Sequence, residues 1–175
     1  MDLTQNHFEL FCLPQSYALD RDKLDSAYRD LQGAVHPDRF ASKPEAEQRV
    51  AMQWATQANE AYQTLKHPVN RGVYLLQLQG IDALDANNTK MAPAFLMQQM
   101  EWREAIDEAR AGKNVATLDA MTDELRAVHR RIEAQLGKQI DTAHDYAAAS
   151  EAVRQLRFMD KLIAEVGDVY EELEN

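Results

Sequence analysis

The sequence predicts an all-α protein in two parts: an antiparallel helical hairpin with short flanking helices, then a three-helix bundle. Three observations carry this. Apolar residues recur with helical spacing in successive runs, strand-type alternation is sustained nowhere, and proline or glycine marks where the runs end.

The elements follow in order. Phe8, Leu10, Phe11 and Leu13 make a short apolar segment ahead of the hairpin. Leu24, Ala27, Tyr28, Leu31 and Val35 then share one face of a helix. Pro37 cannot continue that helix and pushes His36 out of helical geometry, so the run must end there. His36-Pro37-Asp38 thereby holds an imidazole and a carboxylate two residues apart on a loop. With 5 His, 5 Pro and 15 Asp among 175 residues, this tripeptide is expected by chance about 0.01 times.

Ser42-Lys43-Pro44-Glu45 reads as a helix start, with a serine cap, a proline in the first turn and an early acid. The helix it opens buries Val50, Trp54, Ala58, Ala61, Tyr62 and Leu65, and stops at His67-Pro68. A further run, Val73, Leu75, Leu76 and Leu78, ends in Gly80. Residues 82–89 have no period and are rich in turn formers, which predicts a first part over 1–78, a linker over 79–92 and a bundle over 93–175.

In the bundle, helices are expected from Pro93 to Ala111 with Gly112 as the stop, and from Val115 to Leu136 with Gly137 as the stop. A third runs from Ala143 to near the C-terminus, where Gly167 weakens its last turns. Short connections make neighbours antiparallel. On the first of these helices Phe95, Trp102, Ile106 and Ala109 fall in one narrow arc, an ordinary core stripe. Leu96, Met97 and Met100 fall outside it, among Gln98, Gln99, Glu101, Arg103 and Glu104. On the last helix Ala149, Val153, Leu156, Met159, Ile163, Val166 and Tyr170 share a broad face, with Asp160 near its edge, while Phe158 points elsewhere among Arg154, Lys161 and Glu165.

This surplus of apolar residues has two readings. Packing of the bundle on the first half would bury it; a partner-binding patch would expose it, as apolar anchors rimmed by charge, with methionine giving adaptable contact. First and third helices of a three-helix bundle are neighbours, so Leu96, Met100 and Phe158 can form one surface.

Composition excludes several classes. An apolar content of 45% in 175 residues suffices for one ordinary domain or two small ones. Cys12 is the one cysteine, which excludes an internal disulfide and fits a reducing compartment. No stretch approaches the roughly 18 apolar residues of a membrane span. Met1 to Phe11 carry acids and no early basic cluster, so no secretory or transit signal is visible and a cytoplasmic location is expected. The net charge of −10 argues against nucleic acid, whose binding rests on phosphate neutralisation. That acidity belongs to residues 79–175, with 11 basic against 19 acidic groups; residues 1–78 carry 8 and 10.

An enzyme is disfavoured. His36 and Asp38 as an acid–base pair, or His36 and His67 as metal ligands, are conceivable chemistry. Yet His7, His36, His67, His129 and His144 are scattered, and neither a phosphate-binding glycine loop nor a nucleophile motif occurs. No catalytic residue, metal or cofactor is expected.

Two helices joined by His-Pro-Asp, with Asn59-Glu60-Ala61-Tyr62-Gln63-Thr64-Leu65 and Arg71 downstream, resemble a J-domain over about residues 4–77. In that family the loop and the preceding helix dock on a DnaK-type chaperone and stimulate its ATPase. The resemblance implies chaperone contacts at His36, Pro37, Asp38, Arg39, Arg29 and Lys23. Arg21, Lys23 and Arg29 alternate with Asp20, Asp22, Asp25 and Asp30, so the basic face is weaker than in many J-domains.

The blocks Ala94-Phe95-Leu96-Met97-Gln98-Gln99-Met100-Glu101-Trp102-Arg103-Glu104 and Val153-Arg154-Gln155-Leu156-Arg157-Phe158-Met159-Asp160-Lys161-Leu162 resemble the HscB family of J-domain co-chaperones, nearly over the full length. In that family the bundle binds the iron–sulfur scaffold protein IscU and brings it to the specialised chaperone HscA. By motif position, the resemblance implies scaffold contacts at Leu96, Met97, Met100, Glu101, Arg103, Glu104 and Phe158, with Trp102 in the core. The cysteine-rich zinc segment of some eukaryotic members is not present, which fits a bacterial-type protein without metal, working as a monomer. The competing reading is a generic J-protein that delivers unfolded polypeptides; it would lack selective scaffold binding and prefer extended apolar peptides.

Overall fold

The computed structural model describes residues 5–85 and 90–174. Residues 86–89 of the turn-rich stretch, and the last residue, lie outside the described residues. All regular structure among the described residues is helical, and the chain divides into two compact units, residues 1–75 and 76–175.

The first unit opens with α1 (His7–Leu10), closed by a reciprocal capping box between Asn6 and Glu9. It inserts Phe8 into the core and is followed by the equally buried Phe11. α2 (Arg21–Val35) and α4 (Glu45–Lys66) form the hairpin. Tyr28 and Tyr62 stack across it with centroids 4.0 Å apart, and their hydroxyls donate to Asn59 at 2.6 Å and Asp25 at 3.0 Å respectively. Leu24, Leu31, Ala58, Ala61 and Leu65 are buried between them, each larger side chain contributing about 2 kcal/mol of apolar transfer. α5 (Pro68–Leu78) follows at once, and Arg71 closes the end of α4 by donating to the Leu65 carbonyl at 2.6 Å. Gly80, at φ 76, makes the left-handed turn that ends this run.

The expected serine cap is not formed. Pro44 occupies the cap position of α4, and no side chain bonds the free N–H groups there. Gln48 instead reaches back to the carbonyls of Ala41 and Lys43 at 3.3 and 2.8 Å, a closure that needs only a side chain one turn inside the helix.

The second unit is a three-helix bundle of α6 (Pro93–Ala111), α7 (Val115–Lys138) and α8 (Tyr146–Glu174). Contacts of Asp119 with Tyr170 and of His129 with Asp160 set α7 and α8 antiparallel; Phe95 with Phe158 and Arg110 with Glu172 set α6 and α8 parallel. Phe95, Trp102, Ile106 and Ala109 are all buried, as their arc requires. The stretch expected as a linker is tied to this unit: Ala83 is buried, Arg154 donates to the carbonyls of Ala83 and Lys90 at 3.2 and 3.1 Å, and Glu151 accepts from the Ala92 N–H at 2.7 Å.

Gly112 ends α6 where expected, and two other helix boundaries differ from expectation. Gly112 ends α6 with φ −80, and the left-handed residue is its neighbour Lys113 at φ 50. An added Cβ at Gly112 would lie 3.2 Å from the Glu108 carbonyl oxygen, a tight contact that glycine avoids. Gly137 does not stop α7, which continues to Lys138 and into a π-helical turn, Gln139–Ala143. Leu136 and Ile140 are buried on either side, and two such burials outweigh the roughly 1 kcal/mol that glycine costs in a helix. α8 then begins at Tyr146 rather than Ala143, because His144 turns left-handed and Asp145 caps the new helix at the Ala148 N–H. Gly167 does not interrupt it.

The core arc of α8 is wider than one face. Ala152, Leu162 and Val169 join Ala149, Val153, Leu156, Met159 and Val166 in the core, while Ile163 and Tyr170 are half-buried. A helix flanked by two others buries two adjoining faces.

Candidate functional site

Two surfaces hold the residues of interest, one in each unit. The first is the corner after α2. His36 leaves helical geometry at ψ 130 because proline follows it. Pro37 does not open a loop, however: it starts α3 (Pro37–Phe40), a single helical turn for which proline's fixed φ is already suited. His36 is therefore the end of one helix and the cap of the next, and its Nδ1 accepts from the Asp38 backbone N–H at 3.3 Å. With that nitrogen used as an acceptor, the 3.7 Å approach of the Asp38 carboxylate is not a proton-sharing pair. The Asp38 side chain, 91% exposed, is free to meet a partner.

The charged residues around the corner are unequally available. Arg39 folds back to donate to the Gly33 carbonyl at 2.9 Å, closing the end of α2. Lys23 lies 3.4 Å from Asp20, the α2 cap, whose carboxyl is held below its usual range chiefly by the Lys23 backbone N–H. Arg29 is exposed and makes no ion pair among the described residues. Behind the corner is a feature periodicity did not indicate: an apolar cavity of about 410 Å³ among Val35, Phe40, Val50 and Trp54. Val50, expected in the core, is 49% exposed because it lines this open space rather than filling it.

The second surface lies along α6 and α8. Leu96, Met97 and Met100 are 46%, 65% and 72% exposed, too much for a buried seam. Glu101, Arg103 and Glu104 are exposed around them. Phe158 is half-buried, edge-on to Phe95 at 5.9 Å, with the Arg103 guanidinium 5.6 Å from its centroid. The tertiary structure thus joins Phe158 to α6 at Phe95 and Arg103, one turn from Met100. Trp102 is in the core and donates to Glu124 at 2.9 Å. Sequence reasoning did not find Phe95 as the support beneath Phe158; its place on the core stripe gave no sign of that second contact.

Among the described residues no cluster of His, Cys, Asp and Glu has the makings of a metal site, and no helix is long and apolar enough to cross a membrane.

A hairpin cornered by His-Pro-Asp, followed by a separate three-helix bundle, is the architecture of a J-domain co-chaperone. Residues 91–167 match the family described as the HSCB C-terminal oligomerisation domain. A co-chaperone protein HscB homolog of Burkholderia thailandensis is 57% identical over 175 residues, covering 100% of this chain and 99% of that protein. The solved chaperone HscB from Vibrio cholerae superposes with a TM-score of 0.84 at 41% identity, over 97% of this chain and 99% of that one. The crystal structure of human co-chaperone HscB gives 0.88 at 28% identity, over 95% and 83%. The chain belongs to the HscB family of co-chaperones.

Proposed function

We propose that this chain serves iron–sulfur cluster assembly by stimulating the ATPase of a DnaK-type chaperone, HscA, while delivering the scaffold protein IscU to it. The observation that carries the reading is the exposure of Leu96, Met97 and Met100 beside Phe158 in a member of this family. Side chains of this kind cost solubility unless a partner covers them.

At the corner, Pro37 sets the backbone shape and the exposed Asp38 carboxylate pairs with a basic group on the chaperone, flanked by His36, Arg39, Arg29 and Lys23. On the bundle, Leu96, Met97, Met100 and Phe158 become buried against the scaffold, with Glu101, Arg103 and Glu104 at the rim. Carrying both sites on one chain raises the effective concentration of scaffold at the chaperone. The chain itself catalyses nothing; it shifts the chaperone's conformational equilibrium through differential binding. It acts as a monomer in the cytoplasm.

The test is calorimetric titration of the chain with IscU, followed by the ATPase rate of HscA with and without both proteins. The expected result is saturable scaffold binding and a stimulation that His36→Gln abolishes without loss of helicity. Undiminished stimulation by His36→Gln would overturn the corner assignment. Preference for extended apolar peptides over the scaffold would favour a general J-protein delivering unfolded chains.

A further inference from the structure

A third surface lies between α7 and α8, where a cleft of about 230 Å³ is lined by Arg126, His129, Arg130, Asp160 and Ile163. Two acids beside it are turned toward the imidazole: Asp160 meets His129 Nε2 at 3.0 Å, and Glu133 lies 3.8 Å from Nδ1. Arg126 and Arg130, four residues apart and so on one side of α7, are left exposed with no hydrogen bond or ion pair among the described residues. The pair stays unpaired in a region carrying 11 basic and 19 acidic groups. Among its other arginines, Arg110 engages Glu172, Arg154 two backbone carbonyls and Arg103 the Phe158 ring, while Arg131 is likewise exposed and unbonded among the described residues.

A second observation concerns α8 beyond the cleft lining. Gly167 is one turn beyond Ile163 on the same stripe of α8, exposed, with nothing within 4 Å of an added Cβ. Glycine weakens a helix interior, and neither a turn nor a close approach calls for it here. Its missing side chain leaves open space at that position.

We infer that this cleft binds an acidic peptide segment of a partner protein, its carboxylates on Arg126 and Arg130 and an aliphatic side chain against Ile163 and Gly167. Planar guanidiniums suit carboxylates through paired hydrogen bonds. A net charge of −10 disfavours a long polyanion such as nucleic acid, yet tolerates the few charges of one segment. Asp160 and Phe158 are two residues apart, about 200° around the helix, so this cleft and the α6–α8 surface point away from each other and accept separate partners.

The probe is a fluorescein-labelled peptide of sequence Glu-Leu-Glu-Glu-Leu-Glu, followed by anisotropy. Saturable binding that weakens with salt is expected, and Arg126→Gln with Arg130→Gln should lower affinity about tenfold or more. Gly167→Leu should raise the melting temperature and still block the peptide, a combination that a purely structural glycine would not produce. No binding at millimolar peptide, or equal binding by these variants, overturns the proposal. So does equal competition by inorganic phosphate or by a single-stranded oligonucleotide of matched charge.

Discussion

Phe158 stands edge-on to Phe95, with ring centroids 5.9 Å apart and planes at 80°, and the Arg103 guanidinium lies 5.6 Å from its centre. An aromatic ring pinned on two sides has already lost much of the rotamer freedom that docking would remove. Met100, one turn away and 72% exposed, is not so restrained.

That contrast separates two effects of mutation. Phe158→Ala and Met100→Ala should each weaken scaffold binding by about 1 kcal/mol or more. Phe158→Ala should also lower the melting temperature, because it empties the space beside Phe95. Met100→Ala should leave stability within about 0.5 kcal/mol of the parent. Calorimetric titration and thermal melts read both quantities; parental affinity in both variants would remove this face from the interface.

Arg39 is bonded to the Gly33 carbonyl at 2.9 Å, so its charge is already partly used at the end of α2. Arg39→Gln should change stability by less than about 1 kcal/mol, the usual worth of one exposed hydrogen bond. Chaperone stimulation should nevertheless fall, since the corner loses both a cation and a brace. Thermal melts and ATPase rates measured side by side would expose the opposite pattern.

Tyr170 donates to Asp119, and that bond pushes its phenol up to about 12. A raised value means the fold favours the protonated phenol. The stabilisation is complete below the ordinary value of 10.0 and is lost as pH rises through about 12. Tyr170→Phe should flatten the fall in stability across that window. Ultraviolet titration of tyrosinate, parent minus variant, should show one phenol ionising late.

His7 stacks on Tyr74 with centroids 4.1 Å apart, and burial lowers its pKa, with Glu60 partly opposing. The fold therefore favours the neutral ring. Its contribution is present above the ordinary 6.5 and is lost as pH falls from there through the lowered folded value. His7→Phe keeps the stack and should reduce the acid-side loss of stability. Proton NMR of the ring should give a midpoint below 6.5.

The helices were legible because their causes act within a turn or two. Pro37 had to break α2 wherever the rest of the chain went, since the clash is with its own neighbour. Phe95, Trp102, Ile106 and Ala109 announced their burial by spacing alone. Failures came where a local rule met a packing gain: Gly137 stayed helical between the buried Leu136 and Ile140.

The sequence by itself determined an all-α chain with a bent His-Pro-Asp corner and more apolar residues on α6 than one buried face holds. Only the tertiary structure decided that Phe158 rests on Phe95, that Asp160 answers His129, and that Val50 borders an open cavity. Periodicity tells which way a side chain leaves its own helix. What it meets depends on residues tens of positions away, and no local rule carries that distance.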